Sequence, residues 1–377
     1  MRKLLVTASV YSHIYRFHQP YLRAFHEAGW ETHVACAGFP AEATYIDRPI
    51  EVPFEKKMWS ASNLRALRML RELIQAEDYE LIITHTSLAA FFTRLALKGN
   101  KARPPLINVM HGYLFDAQTN PLKRIALLNA ERLTAAETDL LLTMNEWDFH
   151  LAKREKLGKR IERLPGMGLD TSRLNAAAAD DGAELRRRLG IDNTAFVLIF
   201  AAEFSKRKSQ STLLHALSRL PENVVLLLPG DGDLRESCRA EAERLGLSGR
   251  VIMPGFIEDI AAWYRAADAA VTSSHSEGLP FNVMEAMYMG LPIAASAVKG
   301  NTDLIRDGET GLLFPYGDAE ACAACIMRLL SDAALRRELG ERAKREVPRY
   351  TLDAVFPEVM ERYLSVFSSP AEMRNPE

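Results

Sequence analysis

The chain has 377 residues, 48% hydrophobic and 25% charged, with 47 Lys and Arg against 49 Asp and Glu. That is the balance of an ordinary globular protein of about two domains, and it excludes a disordered chain, a collagen and a coiled coil. A net charge of −2 also argues against attraction of the whole chain to nucleic acid.

The opening residues, MRKLLVTASVYSHIYRF, hold too few apolar side chains before His13 and Arg16 for a secretory signal, and they read as a first strand over 4–8. Further apolar runs predict strands over 32–37, 81–85, 106–110 and 140–144, with helical patterns over 63–75 and 88–97 between them. His85 and Arg94 interrupt the stretch 81–97, which is therefore not a membrane span. The segment 164–182, rich in Gly, Ala and Asp, reads as a linker. Beyond it the theme repeats, with strands over 196–201, 224–228, 251–253, 269–272 and 293–296. Helical patterns follow over 210–220, 234–245, 282–289 and 319–330. Cys322 and Cys325 form a C-x-x-C, but inside a helical pattern and without a second pair, which favours packing over metal or redox chemistry. Four cysteines and no export signal point to a cytoplasmic protein. Largely apolar strands alternating with helices predict an α/β protein: two Rossmann-like, doubly wound parallel-sheet domains facing across a cleft. The expected divisions are 1–166, 167–350 and a C-terminal helix in 351–377 that packs back on the first domain.

Four segments carry chemistry. In the first, a strand ends near Ser273, a Gly/Pro loop follows through Glu277, Gly278, Leu279 and Pro280, and a helix starts near Phe281 or Asn282. Such a helix start offers free backbone N–H groups to an anion. Glu277 and Glu285, eight residues apart, can border one cavity and accept hydroxyl hydrogen bonds. A carboxylate that merely favours the helix dipole explains the same spacing. In the second, Lys206, Arg207 and Lys208 follow a strand and call for an anion such as a diphosphate, although a solvated basic turn would look alike. The third, Gly230-Asp231-Gly232, is a tight turn at a strand end and lacks the dinucleotide fingerprint. In the fourth, His111 and Gly112 end a strand, where an imidazole can reach a substrate hydroxyl or serve a structural role.

The whole chain resembles the family 4 retaining glycosyltransferases of GT-B fold. EGLPFNVMEAMYMGLPIAAS, with Glu277 and Glu285, is similar to the family's signature, and residues 300–313 resemble its next block. THTSLAAFFTRLALK, MHGYLFD, ETDLLLTMNEWDFHLAK and RLPGMGLD look like the subgroup that makes capsular and exopolysaccharides.

The resemblance implies transfer of a hexose or N-acetylhexosamine from a nucleotide sugar, UDP-linked by analogy, to a saccharide or polyprenyl-diphosphate-linked acceptor. It makes His111, Lys208 and Glu277 the reacting-centre residues. Glu285 binds the ribose, and Gly278, Leu279, Pro280, Phe281 and Asn282 hold the donor sugar and diphosphate. Gly255, Phe256 and Ile257 lie where the base meets backbone. Glu203 stands where the family often has Arg, so Arg207 supplies that cation. The family's Gly-rich turn after the first strand is absent, and Ser12 and His13 occupy that acceptor-side position.

No D-x-D pair is present, so no metal and no separate cofactor is expected. A non-catalytic sugar or nucleotide binder and a GT-B epimerase are the alternatives. Residues 1–165 carry 23 Lys and Arg against 18 Asp and Glu, while 166–377 carry 24 against 31. Lys56, Lys57 and Trp59, the i, i+3, i+6 series Arg65, Arg68 and Arg71, and Lys123 and Arg124 make an anionic membrane surface a further expected partner, if they are more than a solvated face.

Overall fold

A computed structural model describes residues 1–55, 58, 60–175 and 181–367. It divides into two compact units, Met1–Gly168 with the helix residues from Asp353 on, and Leu169–Leu352.

The first unit holds a seven-stranded sheet in the order β3-β2-β1-β4-β5-β6-β7. Its strands are β1 Lys3–Val10, β2 Glu31–Ala37, β3 Arg48–Glu51, β4 Leu81–His85, β5 Leu106–Met110, β6 Leu140–Thr143 and β7 Arg160–Arg163, all paired in parallel. The central strands β4 and β5 are buried at every residue, which explains their mainly apolar character, with Thr84, His85 and Asn108 as the buried polar exceptions. Leu5, Ala35 and Ile82 on the sheet pack with Ala66 and Leu70 of the helix Ala61–Ala76 and with Phe91 and Phe92 of the helix Ser87–Leu97. Arg94, the charge inside that apolar helix, is buried and donates to Glu131 at 2.8 Å, pinning it to the helix Pro121–Thr134. The helix Leu352–Leu364 completes this unit. Its Tyr363 ring lies 5.9 Å from Tyr21 and 6.3 Å from Phe25.

The second unit holds β8 Phe196–Ile199, β9 Val224–Pro229, β10 Val251–Gly255, β11 Ala269–Thr272, β12 Ile293–Ser296 and β13 Leu312–Phe314. They run in the order β10-β9-β8-β11-β12-β13, again parallel throughout. Renumbered from its own first strand this is 3-2-1-4-5-6, and the first unit repeats that order with one strand added. In both, the chain reverses its direction of travel across the sheet between the first and fourth strands. The carboxyl ends at that reversal are where such sheets bind ligands. Cys322 and Cys325 sit buried in the helix Ala319–Ser331 as part of this unit's core.

Three strands, β3, β7 and β13, go beyond those predicted, and each is the edge of its sheet. β1 continues to Val10 and the helix Tyr11–Phe17 starts directly, so Ser12 and His13 lie on a helix.

Candidate active site

In the second unit the reversal point lies between β8 and β11, and the loops after these strands meet there. Ser273, just past β11, is fully buried, with its Oγ 3.0 Å and 2.9 Å from the carbonyl oxygens of Lys208 and Ser209. His275 N donates to the Arg207 carbonyl at 2.7 Å. These bonds fix the turn that follows β8. Lys206 is exposed, whereas Lys208 turns inward and is buried. Its Nζ donates to Glu277 Oε1 at 2.5 Å, and Arg207 donates to Glu277 Oε2 at 2.5 Å. The run of cations is therefore a built site around one buried carboxylate. Burial pushes the Glu277 carboxyl upward, but Lys208 and Arg207 more than offset it and hold it at about 2. Burial draws Lys208 below the ordinary lysine value, with Glu277 acting against this and Arg207 adding to it.

Glu277 is held from behind by close backbone packing. Its N–H donates to the Lys299 carbonyl at 3.2 Å. Gly300, at φ +83°, lies so near that a Cβ there would stand 2.8 Å from the Glu277 Cβ and 2.8 Å from the Gly278 carbonyl oxygen. The helix Phe281–Tyr288 starts immediately after Pro280, as the sequence predicts, and has no side-chain cap. Gly278, Phe281 and Asn282 are half-buried, and Leu279 and Pro280 are buried.

Glu285 lies one turn into this helix. Tyr264, from the helix Ala261–Arg265, donates to its Oε2 at 2.7 Å. Burial pushes the Glu285 carboxyl above its ordinary value, while Tyr264, Arg173 and Lys208 oppose the rise. Lys208 thus acts on both acids at once.

The Gly230-Asp231-Gly232 turn braces the same region. A Cβ on Gly230 would stand 2.0 Å from the Ala202 carbonyl oxygen, and one on Gly232 would stand 2.5 Å from that of Phe204. Glu203 is exposed on this brace and its carbonyl accepts from Gln210 at 2.8 Å. Gly255 ends β10, with Phe256 exposed and Ile257 half-buried after it. Sequence reasoning missed Tyr264 and Arg173, which lie far from the motif in sequence and carry no spacing signal, and it read Ser273 only as a strand end.

In the first unit, His111 follows β5, with Gly112 beside it at φ +114°. It sits in a group of four imidazoles at the corresponding reversal point, between β1 and β4. His13 comes from the helix after β1, His18 from the turn beyond, and His85 from the end of β4. His85 Nδ1 lies 3.2 Å from His111 Nε2, and the His13 and His111 ring centres are 4.5 Å apart. Burial holds His13 down at about 4 and the other three well below their ordinary value, so the group is neutral at pH 7. Ser12 is exposed on the same helix.

Comparison with known proteins gives the same reading along the chain. The family model described as glycosyl transferases group 1 matches residues 181–346, and that of glycosyltransferase family 4 matches residues 21–167. The chain is 31% identical over 96% of its length, and 96% of the relative's, to the putative glycosyltransferase EpsD of Bacillus subtilis. It is a family 4 glycosyltransferase. As such it is a nucleotide-sugar glycosyltransferase of GT-B fold. A UDP-Gal:alpha-D-GlcNAc-diphosphoundecaprenol alpha-1,3-galactosyltransferase of Escherichia coli is 24% identical over 72% of each chain. Anabaena HepE, solved in complex with UDP-glucose, shares the fold at a TM-score of 0.78, with 20% identity over 97% of this chain and 100% of that one.

Proposed function

We propose that this glycosyltransferase moves a hexose or N-acetylhexosamine, with retention of anomeric configuration, from a UDP-sugar to a saccharide or polyprenyl-diphosphate-linked acceptor in surface polysaccharide synthesis. The observation that carries the reading is the buried Lys208–Glu277 pair, with exposed Arg207 donating to the same carboxylate, beside a helix start without a side-chain cap at the reversal point of the second sheet. Support for the nucleotide comes from HepE, bound to UDP-glucose. Support for a lipid-linked acceptor comes from the Escherichia coli galactosyltransferase.

In this reading the second unit takes the donor and the first takes the acceptor. Breaking the sugar–phosphate bond gathers negative charge on the leaving diphosphate. Lys208, Arg207 and the backbone N–H groups of Gly278, Leu279, Phe281 and Asn282 meet that charge with donors already in place, so they act more strongly on the transition state than on the bound donor. Glu277 aims both cations and faces the donor sugar. Glu285, oriented by Tyr264, accepts the ribose hydroxyls, and Gly255, Phe256 and Ile257 meet the base. His111 is the catalytic candidate of the first unit. The acceptor proton passes to the leaving phosphate as the acceptor attacks from the departing face, without a glycosyl bond to a side chain.

A thermal-shift panel of nucleotides and nucleotide sugars tests the donor. UDP and a UDP-sugar raise the melting temperature by their occupancy, and other bases do so less. No shift with any member overturns the reading. Product analysis by NMR then separates transfer from epimerisation, because an epimerase returns an altered UDP-sugar without an acceptor.

A basic and apolar surface on the first unit would bring the enzyme to the lipid-linked acceptor. Arg65, Arg68 and Arg71 are exposed along the helix Ala61–Ala76, and Leu122 and Ile125 protrude from the helix Pro121–Thr134 beside Lys123. Lys56, Lys57 and Trp59 lie outside the described residues. No described helix is long and apolar enough to cross a membrane.

A further inference from the structure

The four histidines of the first unit have a feature that sugar binding does not explain. Both ring nitrogens of His18 and the Nε2 of His13 are buried without a hydrogen-bond partner. Buried polar nitrogens are normally satisfied, and an unsatisfied group calls for a missing partner. Around them, one ring nitrogen from each of His13, His18 and His111 lies within 4.8 Å of the other two.

We propose that His13, His18 and His111 form a three-imidazole binding site for a divalent transition-metal cation of the zinc class. An all-nitrogen set suits Zn²⁺, Ni²⁺ or Cu²⁺ and not the oxygen-seeking Mg²⁺ or Ca²⁺. A metal needs neutral imidazole, and burial keeps these rings neutral. Nitrogens at about 2.0–2.1 Å from a tetrahedral zinc stand roughly 3.3 Å apart, so the rings draw together by up to about 1.5 Å on binding. His13 and His111 are only half-buried, which gives the cation a way in. His85 supports the site from one side. Its ring stacks on His18 with centres 3.6 Å apart and its Nδ1 contacts His111, as outer-sphere partners orient metal ligands. Three protein ligands leave the fourth corner of a tetrahedron to water or to a substrate oxygen.

No sequence spacing announces this site, because its ligands come from a helix, a turn and a strand end that only the parallel sheet brings together. It is separate from the diphosphate cluster, which lies in the other unit. It also does not rest on the donor reading, since cation uptake is measured without any nucleotide sugar.

The test uses the full chain, free of any polyhistidine tag, stripped with chelator and desalted. Zn²⁺ is titrated by calorimetry, and Co²⁺ is added as an optical probe of coordination. The expected result is saturable uptake of one equivalent per chain, with visible Co²⁺ bands of a low-coordinate nitrogen site. His18→Ala and His13→Ala each weaken binding by at least about tenfold. His26→Ala, at a half-exposed histidine beside Asp47, leaves it unchanged. Absence of saturable uptake by the wild-type chain overturns the proposal, and so does uptake that both His18→Ala and His13→Ala retain. If His18→Ala fails to fold by circular dichroism, His13→Ala and the wild-type titration decide the matter.

Discussion

Lys208 illustrates how much a single buried cation can control. It touches Glu277, acts electrostatically on Glu285, and belongs to a turn locked by Ser273. If Lys208 meets the leaving group as proposed, Lys208→Ala removes a fixed positive charge there, and turnover with a UDP-sugar is expected to fall by about 100-fold or more. A loss well below that in steady-state kinetics would detach Lys208 from the diphosphate. Glu285 gives a pH signature. Its carboxyl is raised by burial and lowered by the Tyr264 hydroxyl. Donor binding that needs the carboxylate weakens as pH falls through that raised value. Tyr264→Phe removes a stabiliser of the charged form, so the acid limb of donor affinity moves to higher pH. Binding isotherms across the acid range check this, and a limb that stays in place or moves lower would contradict it. Both acids were legible in the sequence as a spaced pair, and Lys208 as part of a basic run. What the sequence could not reveal is which cation is buried. Lys206 and Lys208 look alike on paper, and only the bonds from a strand 60-odd residues later turn one inward and leave the other in solvent.

Loops that carry the site are held by glycines against which other backbone is packed. Gly300 combines a left-handed backbone with near contact to Glu277 and Gly278. Gly300→Ala is therefore expected to cost about 1–3 kcal/mol in chemical denaturation and to weaken donor binding with it. A variant with unchanged stability and affinity would show that this packing does not position Glu277. The same logic explains which strands were legible. Central strands such as β4, β5, β11 and β12 are buried at every residue and mainly apolar, so the run itself announces them. The edge strands β3, RPIE, and β7, RIER, have a neighbour on one side only and face water, so their side chains are charged and they read as loop. At the other edge β13 has three residues, too few for a pattern.

Taken as a whole molecule, the two units share one strand order, yet their chemistry differs. One reversal point gathers cations around a carboxylate and the other gathers neutral imidazoles. Acid exposes the first of these. A Glu277 carboxyl held at about 2 against an ordinary 4.5 stabilises the fold fully above about pH 4.5 and loses that contribution as pH falls toward 2. The amount is on the order of 2–3 kcal/mol. Urea melts of the wild type between pH 5 and pH 3 should lose more stability than those of Glu277→Gln, and parallel losses would refute the assignment. At the surface, replacing Arg65, Arg68 and Arg71 by Gln should weaken affinity for anionic vesicles by about 100-fold in sedimentation, at about 1 kcal/mol for each cation removed. Binding that is indifferent to lipid charge would remove the membrane from the account.

The helix Leu352–Leu364 adds a constraint of timing. It supplies Tyr363 to the aromatic group around Tyr21 and Phe25, so the first unit's packing is finished by residues the ribosome makes after the entire second unit. Until then the nascent amino-terminal half carries an uncovered aromatic face. A stalled or prematurely stopped chain would present that face to chaperones even when its second unit has already folded.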